Sequence, residues 1–168
     1  MKDAALIAQP LTGLGFAPFG QVIELPRSGG VRVNQGRGLR FDSIADLTRL
    51  EGDAPLKLAL YQVTPSKLPF EVALMERHPH STQIFLPMIC QHYVLVVARR
   101  LADGAPDIGG ASAFIARSDQ GIIYHRNVWH NPIVVLGATA QFAMLIHESG
   151  EQYDCIEVPL TYPLQVTE

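Results

Sequence analysis

The sequence has no basic stripe: its 168 residues set 13 Lys and Arg against 16 Asp and Glu, for a net charge of −3. The phosphate-neutralising charge that dominates nucleic-acid affinity is missing, so no nucleic-acid partner is expected. Long apolar runs are missing too. "YVLVVA" is short and "IVVLGATAQFAMLI" is interrupted, and neither supplies the roughly 20 apolar residues of a membrane helix. The opening "MKDAALIAQPLTGLG" has one Lys, an early Asp and an apolar run broken by Pro and Gly, unlike a secretory signal. There are two cysteines, Cys90 and Cys155, far apart and outside any C-x-x-C pattern. Without an export signal they read as two buried thiols, and a cytoplasmic protein is expected. Low-complexity tracts, repeats and linkers are also lacking, which leaves one domain over residues 1–168, long enough to bury a real core.

What is present is a period of two, punctuated by Gly and Pro. "GQVIEL", "LKLALYQV", "FEVALMERH", "QIFLPM", "YVLVVA", "ASAFIA", "GIIYH", "PIVVL" and "QFAMLI" read as short strands between turn signals. Helix is expected only near the start and in "FDSIADLTRLEG", where Asp42 or Ser43 would cap a turn that Gly52 ends. "RRLADGAPDIGGAS" reads as an exposed connection. An all-β sandwich or barrel with a few short helices follows.

Against this background "MERHPHSTQIFLPM" is unusually polar. Alternate side chains of a strand share a face, so Leu74, Glu76 and His78 point one way and Met75 and Arg77 the other. Pro79 cannot donate to a strand ladder and is expected to end the strand. Downstream, "GIIYHRNVWHNPIVV" brackets a turn with His125 and His130 and delivers His130 to the start of another strand. Taken alone, His78 and His130 could be ordinary core histidines satisfied by carbonyls, and Arg77 an outer-face salt-bridge partner.

Two such clusters resemble the paired motifs of cupins, small jelly-roll barrels of the double-stranded β-helix type. "HRNVWH" keeps the spacing of the second motif, P-x-G-x-x-H, with His125 in the proline place, Asn127 in the glycine place and His130 as the histidine. For the first motif, H-x-H followed by Glu, two registers exist. His78-x-His80 leaves the spacing to Gln83 one residue short. Glu76-x-His78 fits, with Gln83 replacing Glu, and is preferred. It makes Glu76, His78, Gln83 and His130 a four-point metal site and His80 a bystander or supporting group.

"FAPFGQVIE", "ERHPHSTQIFLPM" and above all "YHRNVWH" resemble, in order along the chain, the signature stretches of the ureidoglycolate lyase family. "VNQGRGLRFDS" resembles that family's "INxG" segment and following arginine, which maps onto Asn34, Gly36 and Arg40. The resemblance implies cleavage of (S)-ureidoglycolate to glyoxylate and urea in allantoin and purine breakdown. It implies Asn34 and Arg40 as substrate-binding residues and a homodimer. It also implies a divalent metal, nickel first, although the elimination can be written without one. Elimination needs the substrate hydroxyl deprotonated and the departing nitrogen protonated. Glu76, His125 and His130 are the candidate catalytic groups, since acid–base work is most often done by His and carboxylates. Other readings are an amidohydrolase, another metal-dependent cupin isomerase or dioxygenase, and a non-catalytic binding barrel.

Overall fold

The computed structural model describes residues 5–49, 54–148 and 154–168. Its strands, in chain order, are β1 (Leu6–Ile7), β2 (Gln9–Pro10), β3 (Gly20–Ile23), β4 (Val31–Val33), β5 (Gly38–Arg40), β6 (Leu56–Val63), β7 (Pro65–Ser66) and β8 (Phe70–Arg77). The second half adds β9 (Gln83–Ile89), β10 (His92–Ala98), β11 (Ser112–Arg117), β12 (Gly121–Tyr124), β13 (Trp129–His130), β14 (Val134–Leu136), β15 (Ala140–His147) and β16 (Ile156–Thr167). One sheet runs β1-β16-β8-β13-β10-β11-β2, with β14 and β7 joined to it through β10. The other runs β3-β12-β9-β15-β6, and β4 and β5 form a ribbon of their own. The expected all-β, cupin-like jelly roll is what is observed.

The core lies between the two sheets. Tyr93, Leu95 and Val97 of β10 meet Phe85, Ile122, Tyr124 and Phe142 there. The alternate residues Val94, Val96 and Ala98 are equally buried in a second cluster with Val72, Met75 and Trp129. Burial on both faces is why "YVLVVA" shows no polar alternation, and each such side chain contributes about 1.5–3 kcal/mol of burial free energy. The only α-helix among the described residues is the turn α1 (Gly13–Phe16), where the Thr12 hydroxyl accepts from Gly15 N–H at 3.1 Å and Phe16 is buried. Beside it β3 packs so closely on β12 that a Cβ at Gly20 would lie 1.9 Å from the Ile123 carbonyl oxygen, so that strand pairing demands glycine there.

One expectation fails, and one strand is missed. "FDSIADLTRLEG" is not helical over its described part, 41–49. Asp42 is drawn to the Arg40 guanidinium at 3.0 Å, and Ser43 sits at φ 55°, a left-handed conformation that starts no right-handed helix. Gly52 lies outside the described residues. The twelve-residue β16 is the longest strand yet was not anticipated, because Pro159 and Pro163 break its pattern. The structure absorbs them where the register with β8 slips, between Pro159 and Leu164.

Candidate metal centre

The site is built on β8. Across antiparallel pairs His130 of β13 lies directly opposite Glu76, and Glu157 of β16 lies opposite Glu76 on the other side. His130, Glu76 and Glu157 therefore form a row across three strands, and residues opposite one another share a face. His78 stands one step beyond the end of β8. Its ring lies 5.6 Å, centroid to centroid, from that of His130. One nitrogen from each imidazole and one Glu76 oxygen all lie within 4.8 Å of one another, and the His130 Nε2 to Glu76 Oε1 separation is 3.4 Å.

Backbone carbonyls fix both rings. His78 Nδ1–H donates to the Asp154 carbonyl at 2.8 Å, and His130 Nδ1–H to the Val128 carbonyl at 3.0 Å. In the neutral ring that leaves each Nε2 as the lone-pair nitrogen. Both Nε2 atoms are buried without a hydrogen bond, as is Oε1 of Gln83. Gln83, on the facing sheet, pairs in register with Tyr124, whose ring stacks on His130 at 4.1 Å and 14°. Buried polar atoms without partners are rare, and two imidazole nitrogens and a carboxylate suit a divalent cation such as nickel, zinc, iron or manganese. The residues fit such a group.

The turn carrying His130 is locked to β8. Asn127 N–H donates to the His78 carbonyl at 2.9 Å, and the Arg77 guanidinium donates to Asn127 Oδ1. Asn127 sits at φ 65°, a left-handed conformation that favours Gly and tolerates Asn, which explains asparagine in the motif's glycine place. Asn127→Gly keeps that conformation and loses only the side-chain bond. It is expected to be less destabilising than Asn127→Ala by about 1 kcal/mol, read from urea midpoints; equal midpoints would dismiss the backbone account.

Arg77 faces away from Glu76. It lies 5.1 Å above the Trp129 ring rather than in the surface salt bridge expected of it, and Trp129 itself donates to the Gly104 carbonyl at 3.1 Å. The structure does not bring His125, Asn34 or Arg40 to the cluster. His125 is exposed and lines a cavity of about 470 Å³ with Thr48, Pro79, Thr82, Arg126 and Asn127, because the turn points it outward while His130 points in. Asn34 and Arg40 lie in the exposed β4–β5 ribbon, where Arg40 pairs with Asp42. His80 faces Asp154: burial pushes that carboxyl up, opposed by the His80 charge and its backbone N–H. His80 thus lies beside the residue whose carbonyl orients His78.

Electrostatics suit a cation. Burial, and then the His130 charge, hold His78 down to about 4, so the ring is neutral at neutral pH. Burial alone would raise Glu76, but the His130 contact and the charges of both histidines outweigh it and leave the carboxyl below its ordinary value. Sequence reasoning missed three groups here. Tyr124 supplies the stack. The Tyr61 phenol is pushed up by burial and by Glu76, Glu148 and Cys155. Burial and the nearby Glu76, Glu157, Asp154 and Glu148 raise the Cys155 thiol to about 11. The two-residue step from Cys155 to Glu157 was the available signal, but it means nothing until β16 is known to pair with β8.

Comparison with known proteins agrees over most of the chain. The family model described as ureidoglycolate lyase matches residues 3–167. A ureidoglycolate lyase of Burkholderia mallei (strain NCTC 10229) is 35% identical over 164 residues, 97% of this chain and 94% of the relative. One of Pseudomonas savastanoi pv. phaseolicola (strain 1448A / Race 6) is 33% identical over 152 residues, 90% and 88% of the two chains. Among solved structures, a dTDP sugar isomerase from Desulfovibrio desulfuricans G20 aligns with a TM-score of 0.49 and 16% identity over 85% of this chain and 83% of the other.

Proposed function

This chain belongs to the ureidoglycolate lyase family, and from that premise we propose that it cleaves (S)-ureidoglycolate to glyoxylate and urea, a step of allantoin and purine breakdown. The observation that carries the reading is the gathering of one nitrogen from each of His78 and His130 and one Glu76 oxygen within 4.8 Å of one another. Glu76, His78, His130 and Gln83 are the residues that would hold a divalent metal, nickel being the first candidate. Bound there, it would acidify the substrate hydroxyl and fix the substrate's geometry.

The chain's own residues carry the protons. Glu76, ionised at neutral pH, accepts the hydroxyl proton. As the oxygen lone pair forms the aldehyde carbonyl, the carbon–nitrogen bond breaks and that proton returns to the ureido nitrogen, giving urea. His130, braced by Val128 and Tyr124, keeps its Nε2 turned to the site beside the Glu76 carboxylate. Arg77 is turned onto Trp129 and Arg40 onto Asp42, so neither guanidinium is assigned to the substrate carboxylate within one copy. His125, exposed on the cavity lined by Pro79, Thr82 and Asn127, is assigned to the outer face of the turn.

A cytoplasmic homodimer is part of the same reading. Among the described residues no helix is long and apolar enough to cross a bilayer. Leu56, Leu58 and Leu60 form an exposed row along β6, the kind of apolar surface that marks protein contacts. The test of the reaction is the nitrogen product. Purified protein given ureidoglycolate should release urea stoichiometric with glyoxylate. Ammonia and carbon dioxide without urea, in a preparation free of urease, would make the chain an amidohydrolase instead.

A further inference from the structure

The five-stranded sheet presents a row of its own to the centre. Lys57 of β6 lies opposite Ile146 of β15, Ile146 opposite Gln83 of β9, and Gln83 opposite Tyr124 of β12. Residues directly opposite share a face. Lys57 therefore stands on the core-facing side of its strand, in line with the buried Ile146 and Gln83 and with Tyr124, whose ring lies 4.1 Å from that of His130. Leu56, Leu58 and Leu60 point the other way, into solvent. Because β6 is the last strand of its sheet, the row ends at an open edge, and it ends in a cation. Lys57 Nζ meets Glu148 Oε2 at 3.6 Å, with side chains 42% and 38% exposed. Glu148 N–H donates to the Pro55 carbonyl at 3.1 Å, which keeps the pair at the start of β6. The Glu148 charge is felt at the centre, where it favours protonation of His78 and opposes ionisation of the Tyr61 phenol.

We propose that Lys57 binds the substrate's carboxylate, exchanging Glu148 for it when a 2-hydroxy acid enters between the sheets. The proposal rests on the reading above that ureidoglycolate is the substrate. An acid entering beside Glu76 and Glu148 meets like charge, and a cation at the rim offsets that repulsion. The facing row of His130, Glu76 and Glu157 contains no Lys or Arg, while Arg77 lies on Trp129 and Arg40 on Asp42. Lys57 is free to change partners: a half-exposed ion pair is worth little, and the flexible stem of a lysine redirects its ammonium readily. With its carboxylate held at the β6 edge, the substrate directs its hydroxyl inward, towards Glu76 and the two histidines.

Steady-state kinetics of urea release by the whole chain, as purified, separate binding from chemistry. Lys57→Met keeps an unbranched side chain at a half-exposed position and removes the charge. It should raise KM about 10- to 100-fold, the cost of a lost hydrogen bond between charged groups, with kcat within about threefold. Lys57→Arg should restore most of the affinity. Glu148→Gln removes the rival carboxylate and should lower KM by up to about fivefold. An unchanged KM in Lys57→Met overturns the inference and leaves the reaction standing. So does a Glu148→Gln variant that loses affinity as Lys57→Met does, because the pair would then be a brace for the fold. Oxalurate, the oxo analogue that keeps the carboxylate and the ureido group but has no hydroxyl to deprotonate, gives a second readout by calorimetry, independent of turnover. Its Kd should rise about 10- to 100-fold in Lys57→Met. A wild-type chain that binds oxalurate through Lys57 yet releases no urea keeps the carboxylate site and overturns the lyase reading.

Discussion

His130→Ala is expected to lower kcat/KM for urea release by about 100- to 1,000-fold, the usual cost of removing a group that acts directly on the reacting centre. The ring is 2% exposed, faces Glu76 at 3.4 Å and is held by the Val128 carbonyl and the Tyr124 stack, so no neighbouring side chain can swing in to replace it. His78→Ala should behave alike, since the two nitrogens converge on one point. His80→Ala is the internal control. It faces Asp154, whose carbonyl orients His78, and should cost about tenfold or less. Far-UV circular dichroism and urea midpoints establish that each variant is folded. If folded His80→Ala loses as much activity as folded His130→Ala, the Glu76-x-His78 register is wrong and the His78-x-His80 register takes its place.

The second large effect concerns acid. His78 titrates near 4 in the folded chain, against 6.5 for the free side chain, because burial and then the His130 charge disfavour its protonation more than Asp154, Glu76 and Glu148 favour it. Between those values the unfolded chain binds the proton and the folded chain does not. Stability therefore falls as pH drops from about 6.5 to 4 and is insensitive to this residue above and below that window. The full loss is roughly 3 kcal/mol. It is to be measured by urea denaturation of the chelated protein across that range, for the wild type and for His78→Gln, which has no titrating ring. The wild-type curve should slope down towards acid more steeply than the variant's. Parallel curves would mean that His78 is not buried as a neutral ring.

How far the sequence reached is clearest on β8. Alternation put Glu76 and His78 on one face and Arg77 on the other, Pro79 marked the strand end, and the spacing of "HRNVWH" brought His130 to the same place. These are local properties, set by a period of two and by proline chemistry. His125 shares the motif, but a turn can aim a side chain either way and here aims it outward. Asn34 and Arg40 were placed by resemblance alone, and no local pattern says that a ribbon stands apart from both sheets. Glu157, and Cys155 two residues before it, were illegible for another reason: they reach Glu76 only through the register of a strand whose prolines hid it.

The row of His130, Glu76 and Glu157 has a consequence for assembly. Its members come from the middle of the chain, the region after residue 125 and the last strand, and each pairing closes a long loop before any contact rewards it. The five-stranded sheet, by contrast, is made entirely of strands that precede Glu148. A ribosome-bound chain can thus bury much of its core between the sheets while Glu76 still lacks its outer neighbour and His78 the carbonyl that orients it. The donors themselves are all made by residue 130, but His78 is not oriented until Asp154 is in place, so a metal encountered during synthesis meets an unfixed ring until β16 docks.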